Sequence, residues 1–320
     1  MCVTVERSCS ETTKRRTTGT VDTMNESPLS ISARALSGAL EPFVGSVYFS
    51  PECHRNYVNL GFSPSRGSAG GVALPDGPAY FTSRGSVLGQ VPGQVVAAAF
   101  AVFNPAAVVP AVQHGWSLTD AETICAARTD GAVAQLTRLL GPHPDELSLM
   151  INTLAAGVAA LRVEARPLFA GVLAQGEPVG DLAQAWWLGD CLREFRGDSH
   201  NAAWISAGLT AVEIGLLTEL WWGIPLHSYV RTRAWTDNEV AQALDHLVGH
   251  GLVGDRAFTD AGRQFRMEIE VTTDLQMAAA IEAMGKDFDS VCRILTNWSA
   301  EVRRGHGYLA AGPMDLASRP

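Results

Sequence analysis

The stretch "LREFRGDSHNAAW", residues 192–204, sets two arginines, a glutamate, an aspartate and a histidine within eight residues of otherwise apolar sequence. On a helix, Arg193, Arg196, His200 and Trp204 fall close to one stripe. Paired guanidiniums suit a carboxylate or phosphate, which they grip through two parallel hydrogen bonds. An imidazole beside them suits a general acid or base, or a hydrogen-bond donor, and Asp198 would orient His200 if the two touch. His200, Asp198 and Arg196 are therefore the candidate catalytic residues, with Arg193 as a ligand clamp. A plainer account pairs Arg193 with Glu194 or Glu213 at the surface and leaves His200 as a satisfied interior residue. Gly197 either breaks the helix, making Asp198 a new N-cap, or admits a close backbone.

The elements that must position this stripe are helical. The patterning predicts a mainly α fold: an N-terminal helical domain, then a winged helix-turn-helix domain and a C-terminal helix. Residues 1–30 are rich in Ser and Thr without an apolar period and read as a disordered tail, within which Met24 is a second candidate start. Residues 31–206 form the helical, ligand-binding part. Ser50, Pro51 and Gly61 bound one helix, and Thr119 with Glu122 form a capping box for another that runs to Leu140. The Gly-, Pro- and Ser-rich 63–81 segment reads as a long loop. Residues 95–112 are apolar, but Asn104, Pro105 and Pro110 interrupt them, so two short helices are expected rather than a membrane span.

Residues 207–275 follow another order: an apolar helix, a short helix, a helix capped by Thr236 and Glu239, then "GLV" and "FTDAGRQF". That is the order of a winged helix, whose third helix enters the major groove when it reads DNA. Here that helix carries no Lys or Arg. Its exposed side is expected to show Asp237, Glu239, Gln242, Asp245, His246 and His250, which phosphates would repel. In the DNA-binding alternative the contacts fall to Arg231, Arg233, Arg256, Arg263 and Arg266. Five carboxylates within 227–266 balance those five arginines, where known readers show a basic excess. DNA is thus the lesser expectation. His246 and His250 share a face at zinc-ligand spacing but have no third ligand nearby, so no metal is expected. Residues 276–320 read as a C-terminal helix and tail that build a homodimer.

The whole chain supports a globular, cytoplasmic protein without a membrane segment. Its 320 residues suffice for a sizeable core, and a net charge of −9 argues against general nucleic-acid coating. Six scattered cysteines lack any paired metal or redox spacing and fit buried thiols in a reducing compartment. The first 27 residues have no apolar run of a secretory signal.

"EPFVGSVYFSPE" (41–52), "YFTSRGSVLGQV" (80–91), "FNPAAV" (103–108), "LREFRGDSHNAAW" and "TTDLQ" (272–276) together resemble an actinobacterial family of helix-turn-helix, MarR-like proteins, over residues 33 to about 310. The string Phe258 to Arg263 is similar to the MarR wing. Val87 stands where the family pattern commonly has proline. Most of these strings avoid the DNA-reading helix, which implies a pocket rather than a groove reader. The resemblance implies that Tyr48, Arg84, Asn104, Arg193, Arg196, Asp198 and His200 gather around a cavity between the helical half and the winged helix, and that the ligand carries an anionic group. A haem bound through His200, with the arginines on its propionates, is the cofactor alternative. The expected function is small-molecule binding, extending to an enzyme of specialised metabolism. A ligand-responsive regulator and a metabolite-sequestering resistance protein are the alternatives.

Overall fold

The computed structural model describes residues 27–309. Most of the expected tail lies outside them, but residues 28–30 already belong to the first helix. Helices α1 (Pro28–Gly45) and α2 (Pro51–Asn59) open alike: Ser27 and Ser50 accept the third following amide, and proline fills the first helical position. A small antiparallel hairpin, β1 (Ser68–Ala69) with β2 (Val72–Ala73), occupies the expected loop. Four helices follow: α3 (Gly77–Gly85), α4 (Gly93–Phe100), α5 (Pro105–Leu118) and α6 (Ala121–Leu140). The cap of α6 is Asp120 rather than Thr119: its carboxylate takes both the amide and the hydroxyl of Thr123, at 2.8 and 2.9 Å. A charged acceptor at a helix N-terminus outcompetes a hydroxyl one residue earlier.

Next come α7 (Leu147–Ala159), α8 (Pro167–Ala174) and the long α9 (Asp181–Ser206), which passes through Gly197 without a break. Then α10 (Ala211–Trp222), the one-turn α11 (Tyr229–Thr232) and α12 (Asp237–Gly249) lead into a second hairpin, β3 (Val253–Gly254) with β4 (Ala257–Phe258). Both α10 and α12 start on complete capping boxes, Thr210 with Glu213 and Thr236 with Glu239. Val212, Leu216, Val230, Val240 and Leu247 give this part its own small core. Helix α13 (Asp260–Leu275) leaves the hairpin and returns along α9.

The last two helices complete the first core. Helix α14 (Ala278–Met284) packs on α7, and α15 (Phe288–Arg304) lies along α1. The apolar face of α15, including Ile294, Leu295 and Trp298, is buried in the same cluster as Leu36 and Phe43. The apolar face of α15, counted in the expected dimer surface on 276–304, is thus used within the chain. Cys53, Cys125 and Cys191 are buried free thiols. Among the described residues no single helix is long and apolar enough to cross a membrane.

Candidate functional site

A cavity of about 260 Å3 lies where α1, α3 and α9 of the helical part face α10, α11 and α13. It is near the small end of the range of roughly 300–1,000 Å3 for ligand sites. Its walls mix aromatic rings (Tyr80, Phe100, Phe103, Trp222 and Tyr229) with charged groups. Arg84, Arg193, Arg196, Arg233 and Arg266 line it, against Glu41, Glu194 and Glu270, so cations are in excess.

Most of that charge is already matched. Glu41 receives Arg193 through Nε and Nη2 at 2.8 and 3.2 Å, and also the Tyr308 hydroxyl at 3.0 Å. Arg193 Nη1 reaches Glu194 at 3.0 Å, and Glu194 receives Arg84 bidentately at 3.0 and 2.7 Å. A second chain runs from Arg34 through Asp274, Arg196 and Glu270 to Arg266, with contacts of 2.8, 2.9, 3.4 and 2.6 Å. Burial opposes ionisation of Glu194, but the Arg84 and Arg193 guanidiniums outweigh it and hold the carboxyl at about 2. Burial likewise works against the Glu270 carboxylate, and Arg266 and Arg196 again prevail, so it too stays ionised. The arginines expected to clamp a ligand anion are thus occupied by protein carboxylates. Buried charges of this kind are tolerable only when paired in this way.

His200 faces the cavity with a defined tautomer. The Thr273 hydroxyl donates its one hydrogen to the Ile269 carbonyl at 2.8 Å, so its oxygen accepts from His200 Nδ1–H at 3.1 Å. Nε2 then carries the lone pair. Burial, with the Arg266 and Arg196 charges, pushes the imidazole down to about 3 against the pull of Glu270, so the ring is neutral at physiological pH. Asp198 does not orient it. Two residues apart on a helix, the two side chains leave on different faces. Asp198 Oδ2 instead accepts the Leu168 and Phe169 amides, at 2.9 and 3.0 Å, at the start of α8. Burial raises the Asp198 carboxyl to about 7 despite those two donors.

Gly197 performs neither role expected of it. The helix continues, and no backbone approaches. A Cβ built there meets only Glu194 Oε2, at 3.8 Å, so the missing side chain leaves open space in a residue that lines the cavity.

Arg233 is the exception among the arginines. Its guanidinium lies 4.2 Å from the Tyr229 ring centre and 4.6 Å from that of Phe103, and it donates to the Tyr229 hydroxyl at 2.8 Å. Among the described residues no carboxylate pairs with it. The segment between α4 and α5 straps this corner. Asn104 N–H donates to Arg233 O at 2.9 Å, and Asn104 Nδ2 donates to Ala234 O and Glu239 at 3.2 and 3.3 Å. Trp235 Nε1–H donates to Val102 O at 2.9 Å. Asn104 also caps α5, so it is a positioning residue and not part of the cavity wall.

The remaining candidates separate. Tyr48 is buried outside the cavity, accepting from Arg128 Nη2 at 3.2 Å beside the Arg128–Asp190 pair. That pair was not singled out in the sequence, because α6 and α9 each carry several other charged residues and nothing local sets Arg128 or Asp190 apart. Among the arginines expected to touch phosphates, Arg266 is only 2% exposed, Arg231 pairs with Asp237 at 2.9 Å, and Arg233 faces the cavity. Arg256, at the tip of the second hairpin, and Arg263 remain exposed. Glu270, Trp222 and Tyr229 belong to the walls without any local motif to announce them, whereas Glu41 opens the 41–52 string.

The chain from residue 33 to residue 309 matches the model of a family described as a helix-turn-helix family. No curated protein and no solved structure matches it. With a match over that much of its length, the chain belongs to this helix-turn-helix family.

Proposed function

We propose that the protein binds a small molecule in the cavity between its helical part and residues 207–275, and that the latter are a winged helix serving as one wall of the site. In that reading α10–α12 are the three helices and the β3–β4 hairpin is the wing. The observation that carries the proposal is Gly197. A glycine inside a helix costs about 0.5–1 kcal/mol relative to alanine, and no close packing here explains it. What it does is keep the cavity open. The free Nε2 of His200 and the aromatic walls supply one hydrogen-bond acceptor and an apolar bed, a common make-up for a binding site.

Binding is better supported than catalysis. His200 has too low a proton affinity for an efficient base near neutral pH, and Asp198 is engaged elsewhere. A regulator that reads DNA through α12 is the weaker alternative, since the exposed face of α12 carries Asp237, Gln242, Asp245 and His246 and no cation.

The test is titration with N-phenyl-1-naphthylamine, an uncharged fluorescent probe. The wild type is expected to bind it saturably at one site. Gly197→Leu, which projects a side chain into the space, is expected to weaken binding at least tenfold with no loss of melting temperature. Unchanged binding by that variant would remove the cavity from the account.

A further inference from the structure

We infer that Arg233 is the anion-binding group of this cavity, and that its ligand is a small, flat monoanion bearing an uncharged hydrogen-bond donor. The inference rests on the cavity being the binding site and adds the chemistry of what enters it.

Charge matching leads to it. Arg84, Arg193, Arg196 and Arg266 each hold a carboxylate at 2.6–2.9 Å, so a ligand anion there would have to displace a protein partner already buried with them. Arg233 has no such partner among the described residues. Its positive charge is met only by the faces of Tyr229 and Phe103 and by one phenolic oxygen, and its Nε is buried without an acceptor. Stacking holds the guanidinium in place without neutralising it. An anion that reaches it therefore gains a charge-assisted hydrogen bond at no cost to an existing ion pair.

One uncommitted cation near three cavity glutamates sets the valence. A monoanion satisfies Arg233, whereas the second charge of a dianion such as a phosphate monoester would find every other cavity arginine already holding a carboxylate. The flat body follows from the rings of Phe100, Phe103 and Trp222 around the space. The uncharged donor follows from His200, a cavity-lining residue whose Nε2 is left as the acceptor by the Nδ1–H bond to Thr273.

The experiment compares two fluorescent probes on the full chain. 1-Anilinonaphthalene-8-sulfonate is an aromatic monoanion, and N-phenyl-1-naphthylamine is the same skeleton, with the same N–H, without the sulfonate. The wild type is expected to prefer the anionic probe by at least about tenfold, the worth of one buried charge-assisted bond. Arg233→Gln is expected to abolish that preference, so that the two probes bind it alike, and Arg233→Lys to keep part of it. Equal affinity of the wild type for both probes, or a preference that survives in Arg233→Gln, would overturn the assignment of Arg233. Gly197→Leu separates the two levels. If it leaves both probes bound, or if neither probe binds the wild type, the cavity itself is wrong as the site; if it blocks both while Arg233→Gln changes nothing, only the anion assignment fails.

Discussion

His200 illustrates how a half-buried polar side chain is committed by its neighbours. Its Nδ1–H is tied to Thr273, Arg196 and Arg266 lie close by, and little water reaches it, so protonation in the folded state is disfavoured down to about pH 3. An unfolded histidine takes up its proton near pH 6.5. Below that pH the unfolded state binds a proton that the native state refuses, and stability falls as pH drops toward 3. Urea unfolding should show the wild type losing about 2 kcal/mol more than His200→Gln between pH 6.5 and pH 5. Parallel pH curves for the two proteins would mean that the imidazole is not held neutral. The sequence marked this stripe correctly as charged residues on one helix face, and spacing alone placed Arg193, Arg196 and His200 together. It did not reveal their partners. Glu41, Glu270 and Asp274 come from α1 and α13, between about 75 and 150 residues away, and nothing local pairs them with α9.

At the scale of elements, the strap between α4 and α5 links the two parts of the molecule. Ala101 and Ala234, both with positive φ (49° and 63°), sit at its two sides in backbone regions that alanine rarely adopts. The bonds from Asn104 and Trp235 hold that strain in place. Asn104→Ala removes the α5 cap and the bonds to Ala234 and Glu239 together. It is expected to cost about 1–2 kcal/mol and to speed amide exchange around the start of α12. Normal exchange there in a destabilised variant would show that the strap does not anchor the helix. Caps of this kind were largely legible: Ser50 with Pro51, and Thr236 with Glu239, are local signals that act locally. Asn104 was legible as the end of an apolar run but not as a clamp, because its second set of partners lies some 130 residues on.

The whole molecule is a helical body whose core is closed by its own last two helices, with α10–α12 and the second hairpin set between α9 and α13. That arrangement explains why the terminal apolar faces, which look like an interface in sequence, are internal. It also bears on DNA. With a net charge of −9, an acidic α12 and, of the five arginines at 231–266, only Arg256 and Arg263 exposed without a carboxylate partner among the described residues, no salt-dependent, sequence-selective binding to the upstream DNA of its own gene is expected. Tight binding with a steep salt slope would restore the regulator reading. The central claim, that the cavity is where a small molecule sits, is tested most directly through Met277, a buried residue that lines it. In protein carrying 13C-methyl methionine, saturation with N-phenyl-1-naphthylamine should move the Met277 methyl resonance by ring-current shift. The Met150 and Met284 resonances, which report on the core away from the cavity, should stay in place. Saturable probe binding that leaves Met277 unmoved would contradict the account.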